Sequence, residues 1–192
     1  MVLSDNELAT LIQSTQGTEH PFLSAIINAE LQLQPAGVDL TLGTKFKTLP
    51  PPTDGSPSTI IDVRTGLPDS AYHTWDAEEL VVYPGTFYLA TTAETVGIPK
   101  DKLGYLAGRS TLARYGVFIH ASSPIVEPGF AGAITLEIVH AGTHPVLIPA
   151  GHRVAQLLIL ELSSEARRAY DDERSKYNKQ ATTQVAKPDH RT

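Results

Sequence analysis

The hydrophobic pattern of the chain starts with one short helix. Leu8, Leu11 and Ile12 recur at the spacing of a helical face. Directly before them, Ser4 and Glu7 have the Ser-x-x-Glu spacing of a capping box, in which the Ser4 hydroxyl accepts a hydrogen bond from the Glu7 amide. We therefore predict a short helix at the N-terminus and few helices after it.

Beyond Pro35 the pattern changes to short apolar segments that are bounded by Gly or Pro. Such segments are typical of strands in an all-β domain, and 14 Gly with 14 Pro among 192 residues leave little room for helices. Turn signals recur about every 8 to 12 residues in the second half, which favours a sandwich, a jelly roll or a barrel. The predicted strands are residues 38–42, 80–83, 87–90, 103–107, 117–119, 133–139, 145–148 and 153–161.

Two stretches depart from this strand pattern. Residues 48–58 contain four prolines and an Asp-Gly pair, a composition that suits a surface loop and not a packed element. Between Glu165 and Lys179, nine of the fifteen residues are charged, and no apolar stripe continues. We predict a single β domain over residues 1–162, with a proline-rich surface insertion at 48–58, and a polar C-terminal tail over residues 163–192.

Composition and charge narrow the classes of function. Fifteen Lys and Arg against 21 Asp and Glu give a net charge of −6, which disfavours binding to nucleic acid or to an anionic membrane. The chain has no cysteine, which excludes disulfide scaffolds, thiol nucleophiles and the Cys-bound zinc of the zinc deaminases. It shows neither a basic leader nor an apolar stretch of membrane-spanning length. We expect a cytoplasmic protein.

Several common catalytic motifs are missing from the sequence. It has no Gly-rich phosphate loop ending in Lys-Ser or Lys-Thr, no Gly-x-Ser-x-Gly elbow and no His-x-His pair. Four histidines of the second half of the chain are scattered, at His120, His140, His144 and His152. We interpret them as solvated loop residues in preference to a metal site.

A Gly-Arg-Ser turn within residues 108–116 is a candidate anion site. Arg109 and Ser110 enter a short helical segment, and Arg114 follows one turn later on the face of Ser110. Backbone N–H groups, a hydroxyl and guanidinium groups in one place suit a phosphate. The alternative interpretation is an N-cap at Ser110 beside two surface arginines.

Two strands carry a polar residue whose role the pattern leaves open. Thr135, Glu137 and Val139 share one face of their strand, while the opposite face is apolar. Glu137 is therefore either solvated or placed in a partly apolar pocket that suits a general base. Gln156 lies in an otherwise apolar strand, where its amide needs either a core hydrogen bond or a ligand.

Seven segments form an ordered set of motifs. They are residues 3–5, 37–43, 108–116 with Arg-Ser-x-x-Ala-Arg-x-Gly, 127–132 with Glu-Pro-Gly-Phe-x-Gly, 135–137 with Thr-Leu-Glu, 151–156, and the tail residues Tyr170, Lys176, Tyr177 and Gln180. This set resembles the dCTP deaminase family, which shares its fold with the trimeric dUTP diphosphatases. The resemblance implies a mainly β subunit, a distorted jelly roll or β-barrel of the dUTPase-like (β-clip) type with a few short helices. It also implies a homotrimer with each active site at a subunit boundary.

The activity implied by the resemblance is hydrolytic deamination of dCTP to dUTP and ammonia, without zinc, in pyrimidine deoxynucleotide (dUMP/dTTP) biosynthesis. Glu137 would be the general base for the attacking water, Ser110 and Arg114 would hold the reacting ring, and a carbonyl near Ser123 would position the water. Mg²⁺ would be carried by the phosphates, and the tail would close over them. The implied substrate contacts are Arg109, Ser110, Thr111, Leu112, Ala113, Arg114, Ser123, Glu127, Phe130, Thr135, Leu136, Glu137, Gln156, Tyr170, Lys176 and Gln180.

Departures from the family pattern keep other functions open. Glu127 stands where the family has Asp before Pro-Gly, and residues 120–124 replace the usual Thr-Ala pair after the histidine, with Pro124 lacking an N–H. The alternatives are a dUTP diphosphatase, a bifunctional dUMP-forming dCTP deaminase, and a non-catalytic trimeric β module that binds a nucleotide.

Overall fold

The computed structural model describes residues 1–24, 28–51, 60–120, 122–170 and 175–188. Its strands pair antiparallel into two five-stranded sheets and one two-stranded ribbon. Within the described residues, neither sheet closes into a barrel. Most of the predicted insertion at residues 48–58 lies outside the described residues.

The strands of each sheet come from distant parts of the chain. The first sheet contains, in spatial order, Leu33–Gln34 (β1), Gly37–Thr41 (β2), Arg153–Glu161 (β12), Lys102–Gly108 (β7) and Ile125–Val126 (β9). The second contains His73–Asp76 (β4), Lys45–Thr48 (β3), Phe87–Gly97 (β6), Ala131–His140 (β10) and Val117–Ile119 (β8). The ribbon pairs Glu79–Val82 (β5) with Val146–Pro149 (β11).

The helices are short, as predicted. They are Asp5–Thr15 (α1), Ala29–Gln32 (α2) and Ser110–Arg114 (α3), with one 3₁₀ turn at Asp69–Ala71. At the start of α1 the Ser4 amide donates to Glu7 Oε2 at 2.8 Å, so the predicted capping box is present. Leu8 and Ile12 are buried, which confirms the face that the helical spacing predicted. No helix among the described residues is long and apolar enough to cross a membrane.

Every predicted strand overlaps a strand of the structure, but β6 is longer than predicted. The prediction ended at Ala90, whereas the strand continues to Gly97. Thr91, Thr92 and Glu94 in this extension are buried polar residues, so they give no hydrophobic alternation in the sequence. Their burial depends on hydrogen-bond partners from other segments, as Glu94 shows.

The core lies between the strands whose apolar side chains alternate inward. On β10 these are Ile134, Leu136 and Ile138, all almost completely buried. Burial of a Leu or Ile side chain contributes about 1.5 to 3 kcal/mol, so the register of β10 is strongly determined. Because side chains alternate along a strand, the same register places Thr135 and Glu137 on the opposite face.

A buried carboxylate connects α2 to β2 and β6. Glu94 is fully buried, and its two oxygens accept from Gln32 Nε2 at 2.6 Å, from the Thr41 amide at 2.9 Å and from the Thr41 hydroxyl at 2.8 Å. Burial raises the pKa of Glu94, and the hydrogen bonds from Thr41 and Gln32 offset part of that rise. The carboxylate is thus a structural acceptor whose removal leaves buried donors unpaired.

Glu94→Ala should lower the free energy of unfolding by about 3 kcal/mol or more, since the donors of Gln32 and Thr41 lose their acceptor. Urea denaturation measures this, with the exposed Glu30→Ala on α2 as the control. Because the folded-state pKa of Glu94 is raised, protonation favours the folded state. The difference in free energy of unfolding between the wild type and Glu94→Ala should therefore grow as the pH falls through that pKa. Equal stability of Glu94→Ala and Glu30→Ala at all pH values would contradict the role of Glu94 as a structural acceptor.

Candidate functional site

A cavity of about 570 Å³ lies over the outward face of the second sheet. It collects residues from β10, from the loops around β9 and from the C-terminal tail. The sequence-predicted site residues that line it are Ser123, Glu127, Phe130, Thr135, Glu137, Tyr170 and Gln180. Groups separated by more than 50 residues in sequence therefore meet at one place.

Strand alternation and register explain why Glu137 faces this cavity. Glu137 pairs with Leu89 on β6, and Leu89 pairs with Lys47 on β3. Side chains directly opposite on antiparallel strands point to the same face, so these residues form one row across the sheet. The Glu137 side chain keeps 33% of its surface exposed, which leaves its carboxylate accessible from the cavity. The sequence pattern left open whether Glu137 is solvated or lies in a partly apolar pocket, and the structure supports the pocket.

His120 is a member of the site that the sequence analysis missed. Its side chain is only 9% exposed, so the interpretation as a solvated loop histidine is wrong. Nδ1 lies 2.7 Å from Glu137 Oε2, and Nε2 lies 2.6 Å from the Ser123 carbonyl oxygen. The contact with Glu137 has the distance of an ion pair but not the alignment of a hydrogen bond. Sequence spacing gave no signal, because the residues that surround His120 come from β10 and from its own loop.

His140 also departs from the solvated interpretation. It is buried, its Nε2 lies 2.6 Å from the His144 carbonyl oxygen, and its Nδ1 accepts from the Gly142 amide at 3.2 Å. These contacts close the turn after β10, so His140 has a structural role. Among the described residues, no cluster of three or more His, Cys, Asp or Glu side chains could hold a metal ion.

The C-terminal tail packs along β10 and forms one wall of the cavity. The Ala133 amide donates to the Gln180 carbonyl at 2.9 Å, and Gln180 Nε2 donates to the Ala133 carbonyl at 2.5 Å. Gly132 allows this approach, because a Cβ at its φ of 144° would lie 2.7 Å from the Gln180 carbonyl oxygen. Tyr170 packs against Phe130, with ring centroids 6.2 Å apart. The tail therefore lies against the β domain in the described structure.

Tail residues beyond those predicted also line the cavity. Tyr177 and Gln184 are among them, and the Gln184 amide donates to the Thr135 hydroxyl at 3.2 Å. Lys176 does not line the cavity. Its position one residue before Tyr177 nevertheless keeps it next to the wall of the site.

The remaining predicted residues lie elsewhere. Arg114 and Ala113 line a second, more open depression, and Arg109, Ser110, Thr111 and Gln156 line neither. The side chains of Leu112 and Leu136 are in the core, so only their main-chain atoms remain for a ligand. Within one chain, the α3 residues therefore do not line the cavity that contains Glu137.

A buried aspartate holds two arginines near α3. Asp39 is 2% exposed, and its Oδ2 lies 3.3 Å from Arg109 Nε and 3.0 Å from Arg153 NH1. Burial raises the pKa of Asp39, and the charges of Arg109 and Arg153 offset part of that rise. Arg153 NH1 also donates to the Leu31 carbonyl at 2.6 Å. Asp39 thereby fixes the direction of the Arg109 guanidinium.

The whole-chain comparisons agree with this architecture. The family model described as dCTP deaminase-like matches residues 2–162. The chain belongs to the dCTP deaminase-like family. The predicted family is thus confirmed, and with it the prediction that the chain is an enzyme of the hydrolase class.

Relatives of this dCTP deaminase-like chain carry two names. A dCTP deaminase of Halorubrum lacusprofundi is 38% identical over 195 residues, which cover 97% of this chain and 91% of that protein. A protein of Halobacterium salinarum named "dCTP deaminase, dUMP-forming" is 34% identical and covers 97% of this chain and 94% of its own length. Another of that name, from Dictyoglomus thermophilum, is 35% identical and covers 94% of this chain and 91% of its own length.

Among solved structures, the chain is similar to the 2′-deoxycytidine 5′-triphosphate deaminase of Agrobacterium tumefaciens. The TM-score is 0.61 at 22% identity, over 82% of this chain and 47% of that one, so this chain spans about half the length of that protein. At this identity the likeness concerns the fold alone. It confirms the predicted mainly β fold class with few short helices, although in the part of the chain that the structure describes the sheets do not close into a barrel.

Asp39→Asn should lower the free energy of unfolding by about 1 to 3 kcal/mol, because two half-buried guanidinium groups lose a buried counter-ion. Chemical denaturation at neutral pH measures the change. Asp76→Asn is the matched control, since its ion pair with Lys45 is exposed on both sides and should leave stability unaltered. If Asp76→Asn loses as much free energy of unfolding as Asp39→Asn, burial of the aspartate is not the cause of the destabilisation.

Proposed function

We propose that the protein is a hydrolase that deaminates dCTP to dUTP and ammonia, without zinc, in pyrimidine deoxynucleotide biosynthesis. The observation that carries the proposal is the position of Glu137, which places an accessible carboxylate in a cavity with Ser123, Thr135 and Gln180. Membership of the dCTP deaminase-like family supplies the substrate class. A module that only bound phosphates would have no use for an anionic side chain at this position.

In the proposed mechanism, Glu137 accepts a proton from a water molecule as the water oxygen forms a bond to C4 of the cytosine. The electron pair of the C4–N3 double bond moves to N3 and re-forms that bond when the amine leaves. The same proton then passes to the amino nitrogen, the C4–N bond breaks and ammonia leaves, so the carboxylate is regenerated. The carbonyl of Ser123 is an acceptor that suits the second hydrogen of the attacking water. Thr135 and Gln180 line the wall of the same cavity.

We propose that Mg²⁺ enters as part of the substrate, as the Mg–dCTP complex. Triphosphate oxygens are the hard ligands that Mg²⁺ prefers, and it usually retains water in its remaining positions. The chain would then contribute cationic and polar groups toward the phosphates. Arg109 and Arg114, next to the start and at the end of α3, are the candidates for this task.

We propose further that the enzyme is a homotrimer with shared active sites. Ser110 and Arg114 lie apart from the Glu137 cavity within one chain, although the family resemblance assigns them to one reacting ring. A second copy would bring them together. Near the cavity, Phe87 and Phe118 are 46% and 45% exposed on the face shared with Val139, an apolar surface that suits contact with another subunit.

A second candidate is the bifunctional reaction, in which dCTP yields dUMP and pyrophosphate. Several relatives at about one third identity carry the name dUMP-forming. In addition, Glu127 places a second carboxylate in the same cavity as Glu137, where it could activate water toward a phosphate. The products of the reaction separate the two candidates.

The deciding experiment incubates the purified protein with Mg²⁺ and either dCTP or dUTP and separates the products by anion-exchange chromatography. Deaminase activity alone should convert dCTP to dUTP and leave added dUTP unchanged. Formation of dUMP and pyrophosphate from either nucleotide would establish the bifunctional reaction. Glu137→Gln should keep nucleotide binding and lower kcat about 10²- to 10⁴-fold, because the amide is no base. An undiminished rate would remove Glu137 from the mechanism, and Glu79→Gln, at an exposed position of β5, serves as the control.

Subunit sharing can be tested by co-expressing two inactive variants, Glu137→Gln and Arg114→Ala, with different tags. In randomly mixed trimers, about a quarter of the boundaries should combine an intact Glu137 with an intact Arg114, so about a quarter of the wild-type activity should return. Each variant alone should stay inactive at the same oligomeric mass. Mixed oligomers without recovered activity would place both residues in one subunit's site.

A further inference from the structure

We infer that His120 is a positioning residue that shares one proton with Glu137 and thereby determines which carboxylate oxygen faces the reacting water. The inference deepens the proposed function, since it rests on Glu137 as the general base. It concerns a residue to which neither the motifs nor the comparisons assign a role. Its basis is the chain of contacts from Ser123 through the imidazole to the carboxylate.

The Ser123 carbonyl determines the tautomer of the imidazole. A carbonyl oxygen can only accept, so Nε2 at 2.6 Å from it has to carry a hydrogen. A neutral ring would then have a bare lone pair on Nδ1, which faces Glu137 Oε2 at 2.7 Å. Two lone pairs at this distance repel each other. One proton must therefore lie between Nδ1 and Oε2, either as imidazolium and carboxylate or as imidazole and carboxylic acid.

The two facing atoms have no other hydrogen-bond partner. Among the buried side-chain nitrogen and oxygen atoms of the described residues, those without a hydrogen-bond partner are His120 Nδ1 and Glu137 Oε2. Leaving a buried polar group unpaired costs about 1 to 3 kcal/mol, and more when the group is charged. Each atom therefore depends on the other. Catalytic hydrogen bonds are commonly misaligned in a free enzyme and tighten when substrate binds.

The backbone holds His120 in this position at a conformational cost. Its φ of 53° is in the left-handed region, which non-glycine residues seldom adopt. The His120 amide donates to the Glu137 carbonyl at 2.7 Å, so the two residues are joined through both main chain and side chain. Strained residues of this kind persist where surrounding contacts impose them, and they cluster at functional sites.

The charges around His120 favour its protonated form. Burial by itself lowers the pKa of His120, but the Glu137 carboxylate and the carbonyls of Ser123 and Thr135 outweigh it and raise the pKa above that of a free histidine. The titratable groups that line the same cavity are Tyr72, Glu127, Glu137, Tyr170 and Tyr177. The cation in the same row of the sheet, Lys47, is paired with Asp69.

The shared proton has a consequence for the reaction. With Oε2 held by the imidazolium, the other carboxylate oxygen is the one left for water. The proton that Glu137 takes from water cannot pass on to Nδ1, which is already protonated, so it stays available for the departing ammonia. Loss of the shared proton at higher pH would release the carboxylate from this orientation. The rate should therefore fall as the pH rises through the raised pKa of His120.

The first test follows the His120 imidazole by NMR titration and needs no catalytic turnover. In the wild type, His120 should titrate above a free histidine, whose pKa is about 6.5. In Glu137→Gln its pKa should fall below the wild-type value, since the carboxylate that raises it is gone while burial still lowers it. A wild-type pKa at or below the free value, or one unmoved by Glu137→Gln, would overturn the shared proton.

The second test compares pH profiles of kcat/KM, which report the ionisations of the free enzyme that the NMR titration follows. The basic limb of the wild-type profile should match the NMR pKa of His120. His120→Asn tolerates the left-handed backbone and keeps a neutral donor toward Glu137, so it should retain much of the activity and lose that limb. His120→Ala should lower kcat about 10- to 100-fold with little change in KM, because the base is misplaced.

An unchanged basic limb in His120→Asn would refute the positioning role even if the NMR pairing holds. A wild type that shows the NMR pairing but deaminates no dCTP would count against the proposed function alone. The two hypotheses therefore fail by different observations.

Discussion

The register of β10 between β6 and β8 is the constraint on which the candidate site depends. Ile134, Leu136 and Ile138 bury their side chains in the core, and this alone places Thr135 and Glu137 on the outward face. A slip of one residue would exchange the two faces, burying a carboxylate and exposing three large apolar side chains. The energy that stabilises the core is thus also what presents the proposed base to the cavity. Neighbouring strands add Leu89 on one side and His120 on the other.

The carboxylates of Glu94 and Asp39 have surroundings that differ from those of the Glu137 carboxylate. Glu94 accepts hydrogen bonds from Gln32 and Thr41, and Asp39 lies between two arginines, so both are saturated by fixed partners. Glu137 instead has a partly exposed side chain, and among the described residues its close partner His120 is not aligned for a hydrogen bond. Saturated carboxylates stabilise a fold, whereas an incompletely satisfied carboxylate beside a cavity can exchange protons. This contrast is a physical reason to separate the two structural carboxylates from the proposed catalytic carboxylate of Glu137.

The position of the cavity also bears on how subunits assemble. A single chain presents the Glu137 cavity closed on one side by its own tail, while Arg114 lies at a second depression. The apolar side chains of Phe87 and Phe118 remain exposed close to the cavity. The proposed homotrimer would account for both observations, because one subunit interface would cover the phenylalanines and bring Arg114 of one chain to the cavity of another.

The sequence by itself predicted the capped first helix, the family and eight of the twelve strands in the described residues, because each depends on local pattern or on ordered motifs; the short strands β1, β3, β4 and β9 were not predicted. Alternation predicted the faces of β10, and the Gly-Pro punctuation predicted most strand boundaries to within a few residues. The ordered motifs also identified Glu137 and the tail residue Gln180 as candidate site residues. The extension of β6 escaped prediction, since Thr91, Thr92 and Glu94 are buried only through partners from other segments. Only the tertiary structure revealed that His120 is buried against Glu137 and that α3 lies apart from the cavity. Both facts depend on which strands become neighbours across the sheet, and contacts between distant segments leave no periodic trace in a single sequence.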